Sequence, residues 1–277
     1  MALRIGQIDY ANCTPIFTAL KANCDCSTYR FVPGVPAQLN GMLNRGEIDI
    51  CPSSSIEYAR NPGKYFILPD ISISSIGPVK SVLLFSRFPL EDLDQKQIGL
   101  TRESETSVNL LRILLTRDFR FENRFEITTL KLDAALESFA ALLLIGDAAL
   151  TSGMTRRDLY IYDLGELWYR FTGLPFVFAL WMVTREAVKS KPDEVRILHK
   201  ELIAAKGFAY DSYEAIADDS RERSWIGREE LVEYWRTISY DLTDRHVKGA
   251  RTFFRLAREM QLLSVAPRMR MFPLPGV

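Results

Sequence analysis

Short apolar runs with alternating polar positions recur along the first third of the chain. The run Leu3–Ile8 alternates and predicts a strand, and residues 29–32 and 48–51 predict two more. Helices are predicted between these strands, from Pro15 with Thr14 as N-cap, and over residues 36–46. Because strands alternate with helices from the start, the pattern favours a mostly parallel α/β sheet.

Two strongly apolar runs further along the chain, residues 79–86 and 176–184, predict strands that cross between two lobes. We therefore expect a discontinuous first lobe, residues 1–87 and 181–277, and a second lobe, residues 88–180. A ligand cleft is expected between the lobes.

The remaining apolar spacings are mostly helical. Residues 132–143 predict a helix, and residues 144–150 predict a strand or a turn. The C-terminal part, from about residue 186 to residue 263, is predicted to be helix-rich. Residues 268–277 are predicted to be a frayed tail.

Charge and cysteine content exclude several classes of function. The chain has 35 Lys+Arg and 35 Asp+Glu, so no global field attracts nucleic acid or a membrane surface. No apolar run suits a signal peptide or a membrane span, and we expect a cytoplasmic protein. The four cysteines, Cys13, Cys24, Cys26 and Cys51, lack zinc-site spacing and are expected to be reduced.

Short hydroxyl and amide side chains follow nearly every predicted strand. They are Tyr10, Asn12, Thr14, Ser53, Ser54, Ser55, Ser81, Thr101, Ser104, Thr106 and Ser107, and Lys80, Gly146 and Asp147 lie beside them. In an open α/β sheet, ligands bind beyond the carboxyl ends of the strands. Helix N-termini and neighbouring hydroxyls there can hold a carboxylate. Ordinary helix capping explains any one cluster equally well, but three clusters at strand ends favour a binding site.

Other catalytic patterns are missing from the sequence. It contains no Gly-x-Ser-x-Gly frame, no Gly-rich phosphate loop and no His-Glu-x-x-His pair. His199 lies in a predicted helix and is interpreted as structural, and His246 as a surface residue at a helix start. General base chemistry would therefore fall to a carboxylate, a lysine or the substrate itself.

Five segments together resemble the chorismate dehydratase family of the futalosine route to menaquinone. They read IGQIDYANCTP from Ile5, GPVKSV from Gly77, TSV from Thr106, and DLGELW from Asp163 with TGLPFVFA from Thr172. The resemblance spans residues 3–184, and its most specific part lies between Trp168 and Ala179. It implies a two-lobed α/β fold of the type II periplasmic-binding-protein kind, with no metal or organic cofactor.

The resemblance also implies a reaction, in which chorismate loses water to give 3-[(1-carboxyvinyl)oxy]benzoate. The expected partner is thus a small dicarboxylate, with the oligomeric state left open. Asn12 and Ser81 match family positions at the cleft and are our candidates for the reacting centre, since both donate and accept hydrogen bonds. Neither is a strong base, so a carboxylate of the substrate is expected to help remove the C3 proton.

The substrate-binding candidates are the residues at the strand ends. They are Tyr10, Thr14, Ser53, Ser54, Ser55, Lys80, Ser104, Thr106, Ser107, Gly146 and Asp147. Three alternatives stay open: a small-anion binding protein without catalysis, an effector-sensing domain, and the sister 1,4-dihydroxy-6-naphthoate synthase activity.

Overall fold

The computed structural model describes residues 2–274, which contain eleven strands in two mixed sheets. In chain order the strands are β1 (Leu3–Ile8), β2 (Tyr29–Gly34), β3 (Ile50–Ser54), β4 (Tyr65–Ser75), β5 (Val82–Ser86), β6 (Gln97–Leu100), β7 (Arg124–Ile127), β8 (Ala141–Ile145), β9 (Tyr160–Asp163), β10 (Phe176–Thr184) and β11 (Ile238–Ser239). The first sheet has the order β11-β4-β10-β3-β1-β2, and the second has the order β7-β6-β8-β5-β9.

Helices cover both sheets and dominate the C-terminal part, as the sequence predicts. Within residues 2–274 they are α1 (Thr14–Asn23), α2 (Pro36–Asn44), α3 (Ser55–Arg60), α4 (Glu105–Ile113), α5 (Leu132–Ser138), α6 (Gly146–Thr155), α7 (Leu164–Thr172), α8 (Arg185–Ser190), α9 (Pro192–Asp211), α10 (Tyr213–Asp218), α11 (Arg223–Ile226), α12 (Arg228–Trp235) and α13 (Asp244–Glu259). The predicted strands β1 and β10 have the predicted bounds.

The prediction of a mostly parallel sheet is wrong. Four of the described strand pairs are parallel and five are antiparallel. The long strands β4 and β10 lie side by side and run in opposite directions across the first sheet. Antiparallel neighbours need no helical crossover, so the helix–strand alternation of the first 60 residues does not extend to them.

Strand pairing shows which parts of the chain build each sheet. β5 pairs with β8 and β9 in the second sheet, whereas β10 pairs with β3 and β4 in the first sheet. The chain therefore passes between the sheets in the segments before β5 and before β10. Strand pairing does not define domain boundaries, so the lobe boundaries at residues 87/88 and 180/181 stay a prediction from the sequence.

Two further predictions are corrected by the structure. The run 132–143 holds a short helix and then the strand β8, and α6 begins at Gly146, where a strand or turn is predicted. Successive apolar residues in β8 are buried on both faces, a pattern that periodicity alone does not separate from a helix.

Part of the predicted frayed tail is also packed. The N–H of Ile67 donates to Arg270 O at 2.8 Å, and the N–H of Phe272 donates to Ile67 O at 2.7 Å. The side chain of Phe272 is 3% exposed. The tail therefore docks against β4 through residues 270–272, and residues 275–277 lie outside the described residues.

An aromatic cluster fixes α7 and α13 against β10. Trp168, Phe176 and Phe253 are buried, and their ring centroids lie 5.1–6.3 Å apart in edge-to-face geometry. Burial of each ring contributes about 2–3 kcal/mol, with about 1 kcal/mol more for each edge-to-face pair. This cluster joins α7 and α13 to β10 of the first sheet.

Candidate active site

A small, partly open cavity lies between the two sheets, where β1, β3 and β8 end. Its volume is about 60 Å³. Seven of the candidate residues line it, namely Tyr10, Asn12, Ser54, Ser81, Ser104, Ser107 and Gly146. The structure thus brings both candidates for the reacting centre, Asn12 and Ser81, to one cavity.

Asn12 lies in the turn between β1 and α1, residues 9–14, here named the Asn12 turn. The N–H of Cys13 donates to Tyr10 O at 2.9 Å, which closes the turn, and the N–H of Ala11 donates to Asp147 Oδ1 at 3.0 Å. Asn12 Oδ1 is buried and has no hydrogen-bond partner among the described residues. An unpaired buried acceptor costs about 1–3 kcal/mol, so this oxygen is a strong binding point for a donor in the cavity.

Ser81 lies at the end of the segment that passes into the second sheet, residues 76–81, here named the Ser81 turn. The carboxylate of Asp163 accepts the N–H of Val79 at 2.9 Å and the N–H of Lys80 at 2.6 Å. Lys80 has φ +59°, a conformation that costs about 1 kcal/mol for a residue with a Cβ. The same carboxylate caps α7, so Asp163 fixes the strained backbone next to Ser81.

Two hydroxyls at the start of α4, those of Ser104 and Ser107, line the cavity. Ser104 is the N-cap of α4, and its Oγ accepts the N–H of Ser107 at 3.2 Å. The hydroxyls of Ser104 and Ser107 are 3.0 Å apart. Capping and ligand binding are therefore compatible readings of the same residues, since a hydroxyl has a donor and two lone pairs.

Two contacts join the sheets across the cavity. Ser54 Oγ and Thr106 Oγ1 are 2.6 Å apart and buried, and Thr106 Oγ1 also accepts the N–H of Ile56 at 3.1 Å. Tyr10 OH donates to Glu103 Oε2 at 3.0 Å. A Cβ on Gly146, whose φ is +61°, would lie 3.0 Å from the Tyr10 ring. The absence of a side chain at Gly146 lets Tyr10 close this end.

Six candidate residues do not line the cavity, because other groups hold their side chains. The Thr14 hydroxyl donates to Glu222, Ser53 bonds Asn40, and Lys80 Nζ is paired with Glu233 at 2.6 Å on the surface. The Thr106 hydroxyl bonds the hydroxyls of Ser54 and Ser55, and the carboxylate of Asp147 accepts the N–H of Ala11. The expected N-cap role of Thr14 is also wrong, since Cys13 precedes α1 and Thr14 is its first residue.

The cavity is lined by uncharged donors. No lysine or arginine belongs to its lining within the described chain. Burial raises the pKa of Asp147, and the N–H of Ala11 opposes that rise. Burial also raises the pKa of Tyr10, and the nearby carboxylate of Glu103 raises it further, so Tyr10 stays a neutral donor.

Sequence reasoning missed the apolar walls and one polar contact. Ile8, Pro36, Ile73, Val79, Val82, Ile145, Phe178 and Ala179 complete the lining. Buried strands read as continuous apolar runs, which do not reveal the face that meets a ligand. Phe178 and Ala179 are the last two residues of the TGLPFVFA segment, and the family resemblance of that segment was the only sequence feature that pointed to them. Nothing in the sequence pairs Glu103 with Tyr10.

Metal-binding clusters and membrane-spanning helices are both missing from residues 2–274. No group of three or more His, Cys, Asp or Glu side chains there could hold a metal ion. No described helix has the length and apolarity required to span a bilayer. The four cysteines are free, as expected.

Solved structures with the same fold include binding proteins. A protein from Archaeoglobus fulgidus superimposes with a TM-score of 0.74 over 95% of this chain and 98% of its own, at 19% identity. The alkanesulfonate-binding protein from Xanthomonas axonopodis pv. citri gives a TM-score of 0.68 over 98% and 96% of the chains, at 16% identity. The predicted two-lobed, periplasmic-binding-protein-like α/β fold is thereby confirmed.

Sequence comparisons give the family. The family model for menaquinone biosynthesis matches residues 3–259. A chorismate dehydratase from Thermus thermophilus is 34% identical over 66% of this chain and 70% of its own length. A chorismate dehydratase from Campylobacter jejuni is 31% identical over 63% of this chain and 64% of its own length, slightly under two thirds. The chain therefore belongs to the menaquinone biosynthesis family, beside these chorismate dehydratases.

Proposed function

We propose that this protein eliminates water from chorismate to give 3-[(1-carboxyvinyl)oxy]benzoate. The observation that carries the proposal is that Asn12 and Ser81 line one cavity with hydroxyl donors in a chain of this family. Chorismate carries two carboxylates, and the hydroxyls of Ser54, Ser104 and Ser107 can donate to them without adding charge.

The chemistry needs little acid or base strength from the protein. Loss of the C3 proton and the C4 hydroxyl releases one water and makes the ring aromatic. Charge that develops at C3 spreads into the ring carboxylate, where fixed donors stabilise it as in an oxyanion site. We propose that the second carboxylate of the substrate takes the C3 proton, while Asn12 and Ser81 orient it and the leaving hydroxyl.

Asn12 suits this positioning role because its Oδ1 is buried and unpaired. The C4 hydroxyl of a bound substrate could donate to that oxygen, which would remove the desolvation cost of the acceptor. The amide nitrogen of Asn12 remains free to donate to a carboxylate. Ser81 is 2% exposed and faces the same space, so water competes little for its hydroxyl.

The site must open to admit this substrate. A cavity of about 60 Å³ has room for only a few water molecules. That space is smaller than the volume of a ten-carbon dicarboxylate. We propose that the contacts of Ser54 with Thr106 and of Tyr10 with Glu103 separate when chorismate enters. Their return around the substrate would exclude water from the elimination.

Turnover of chorismate by the purified protein tests the proposal. The expected result is an aromatic ultraviolet absorbance that grows with time, with a product lighter than chorismate by one water in the mass spectrum. Binding of chorismate without that product would overturn the proposed activity and favour a small-anion binding protein. A Ser86→Ala variant serves as control, because Ser86 ends β5 with its hydroxyl donated to Phe88 O at 2.7 Å, away from the cavity.

A further inference from the structure

The C-terminal helical part makes direct contact with the backbone of the Asn12 turn. Trp235 Nε1 donates to Ala11 O at 2.7 Å, and Tyr240 OH donates to Asn12 O at 2.8 Å. Both residues are buried, with at most 2% exposure. Two consecutive carbonyls of the turn are thus held by side chains more than 220 residues away in sequence.

We propose that Trp235 and Tyr240, here named the aromatic clamp, are positioning residues for Asn12. The proposal rests on the proposed function, since it assigns the clamp a share of the rate of chorismate dehydration. Neither side chain lines the cavity, so the clamp acts through the backbone of the turn and not on the substrate.

Neighbouring aromatic residues hold the clamp itself. The ring of Tyr213 packs 5.8 Å from Trp235, and the ring of Tyr210 packs 5.8 Å from Tyr240. The hydroxyl of Tyr210 also accepts the N–H of Tyr240 at 2.8 Å. Packed aromatic rings have few rotamers to exchange, so the two donors arrive at the turn in fixed positions.

Other groups of the turn are held from the same segment. Arg221 Nη2 donates to Asp9 O at 3.2 Å, and the Thr14 hydroxyl donates to the buried carboxylate of Glu222 at 3.0 Å. On the opposite side, the N–H of Ala11 donates to Asp147. The turn is therefore held at both ends from residues 221–222 and at its centre by the clamp.

The clamp explains how Asn12 keeps an unpaired oxygen in a buried site. A free turn would rotate to bring Asn12 Oδ1 to water or to a nearby N–H, because an unpaired buried acceptor is costly. The hydrogen bonds to Ala11 O and Asn12 O hold the two peptide groups that flank the Cα of Asn12, and they oppose that rotation. Displacement of a catalytic group by about 1 Å can cost about 100-fold in rate, so modest loosening should be measurable.

Kinetics of Trp235→Phe, Tyr240→Phe and the double variant on chorismate test the clamp. We expect each single variant to lose about threefold to tenfold in kcat and the double variant more, with KM within about twofold of wild type. Assays run well below the melting temperature of each variant, so that the folded fraction is the same. If the double variant fails to fold, the two single variants decide the question.

Matched controls separate positioning from general stability. Tyr58→Phe removes a hydroxyl that donates to Arg268 O at 2.9 Å, the same kind of bond in the docked tail. Trp181→Phe removes a polar atom that has no hydrogen-bond partner among the described residues. These two variants should keep kcat within about twofold. A clamp variant with the kcat of Tyr58→Phe at equal stability would overturn the proposal.

A double-mutant cycle asks whether the clamp acts through Asn12. Tyr240→Phe should lower the residual kcat of Asn12→Ala by less than twofold, because the group that it positions has already gone. An undiminished additional loss in that background would contradict the mechanism. Wild-type turnover in the same assay reports separately on the proposed function, so failure of one claim is distinguishable from failure of the other.

Discussion

The Asn12 turn and the Ser81 turn present the two candidates for the reacting centre, Asn12 and Ser81, to the same cavity, but the turns are fixed by opposite chemistry. Uncharged donors of Trp235 and Tyr240 hold the carbonyls of the Asn12 turn. One carboxylate, Asp163, holds the amides of the Ser81 turn. The first arrangement depends on packing of distant helices, and the second depends on a single buried charge.

The difference predicts how each turn fails. Loss of one aromatic donor leaves the remaining bonds of the Asn12 turn in place, so positional errors should be small and graded. Loss of Asp163 leaves several N–H groups unpaired at once and frees a backbone that already holds Lys80 at positive φ. A single substitution at Asp163 should therefore cause a large loss of both stability and kcat.

The largest expected effect comes from Asp163→Ala. Four backbone N–H groups lose their acceptor, and we expect the free energy of unfolding to fall by about 3 kcal/mol and kcat to fall at least tenfold. Denaturant unfolding and steady-state kinetics measure both. Asp49→Ala is the control: Asp49 is a buried carboxylate that bonds Arg4 and Lys191 far from the cavity. It should lose stability and keep kcat, and the same kcat for both variants would contradict the comparison.

A smaller effect is expected from Gly146→Ala, which tests closure over the Asn12 turn. The new Cβ would lie 3.0 Å from the Tyr10 ring, at φ +61°. We expect about 1–2 kcal/mol of lost stability and a KM for chorismate raised severalfold. Gly173→Ala shares the positive φ, +68°, but has open space around it, so it should lose similar stability with unchanged KM. A raised KM in both variants would exclude Tyr10 as the cause.

Glu222→Gln probes the charge that anchors the end of the Asn12 turn. Burial would raise the pKa of Glu222, but hydrogen bonds from Ser220, Arg221 and Thr14 lower it on balance from 4.5. The ionised carboxylate therefore stabilises the fold above about pH 4.5, and this contribution is lost as the pH falls through the lowered pKa.

We accordingly expect Glu222→Gln to lower the free energy of unfolding by about 1 kcal/mol at pH 7, and by less as the pH falls below 4.5. Urea unfolding of both proteins between pH 7 and pH 4 measures the difference. A difference that grows on acidification would reverse the sign and contradict the lowered pKa.

The smallest effect is expected from Lys80→Met in the Ser81 turn. Lys80 Nζ pairs with Glu233 at a position where the two side chains are 39% and 70% exposed. Exposed pairs contribute about 0.5 kcal/mol or less, so the free energy of unfolding should change by no more than that. Both kcat and KM should stay within about twofold of wild type. A KM for chorismate raised tenfold would restore Lys80 as a binding cation.

Sequence reasoning anticipated the polar lining of the cavity better than the packing around it. Asn12 and Ser104 are predictable because short polar side chains follow β1 and β6 there, whereas Ser81 precedes β5 and was selected by the family resemblance. The clamp residues were not predictable, since Trp235 and Tyr240 read as ordinary core aromatics. Their value depends on contacts across more than 220 residues, which no local spacing encodes.

The same limit applies to the fold. β10 has nine consecutive residues of strand-forming character and was predicted with its observed bounds. β4 has Pro69 and Asp70 in its interior, and Asp70 has φ +61°, so its eleven residues did not read as a strand. His246 is 3% exposed and completes a capping box with Thr243, so its expected surface position is wrong.

Kinetics of Asn12→Ala and Ser81→Ala on chorismate test the central claim most directly. If the two turns present these side chains to one reacting substrate, each variant should lose at least about 100-fold in kcat, and the double variant little more than the worse single variant. Asn23→Ala, at the other end of α1, should keep kcat. Wild-type kcat in both Asn12→Ala and Ser81→Ala would contradict the account.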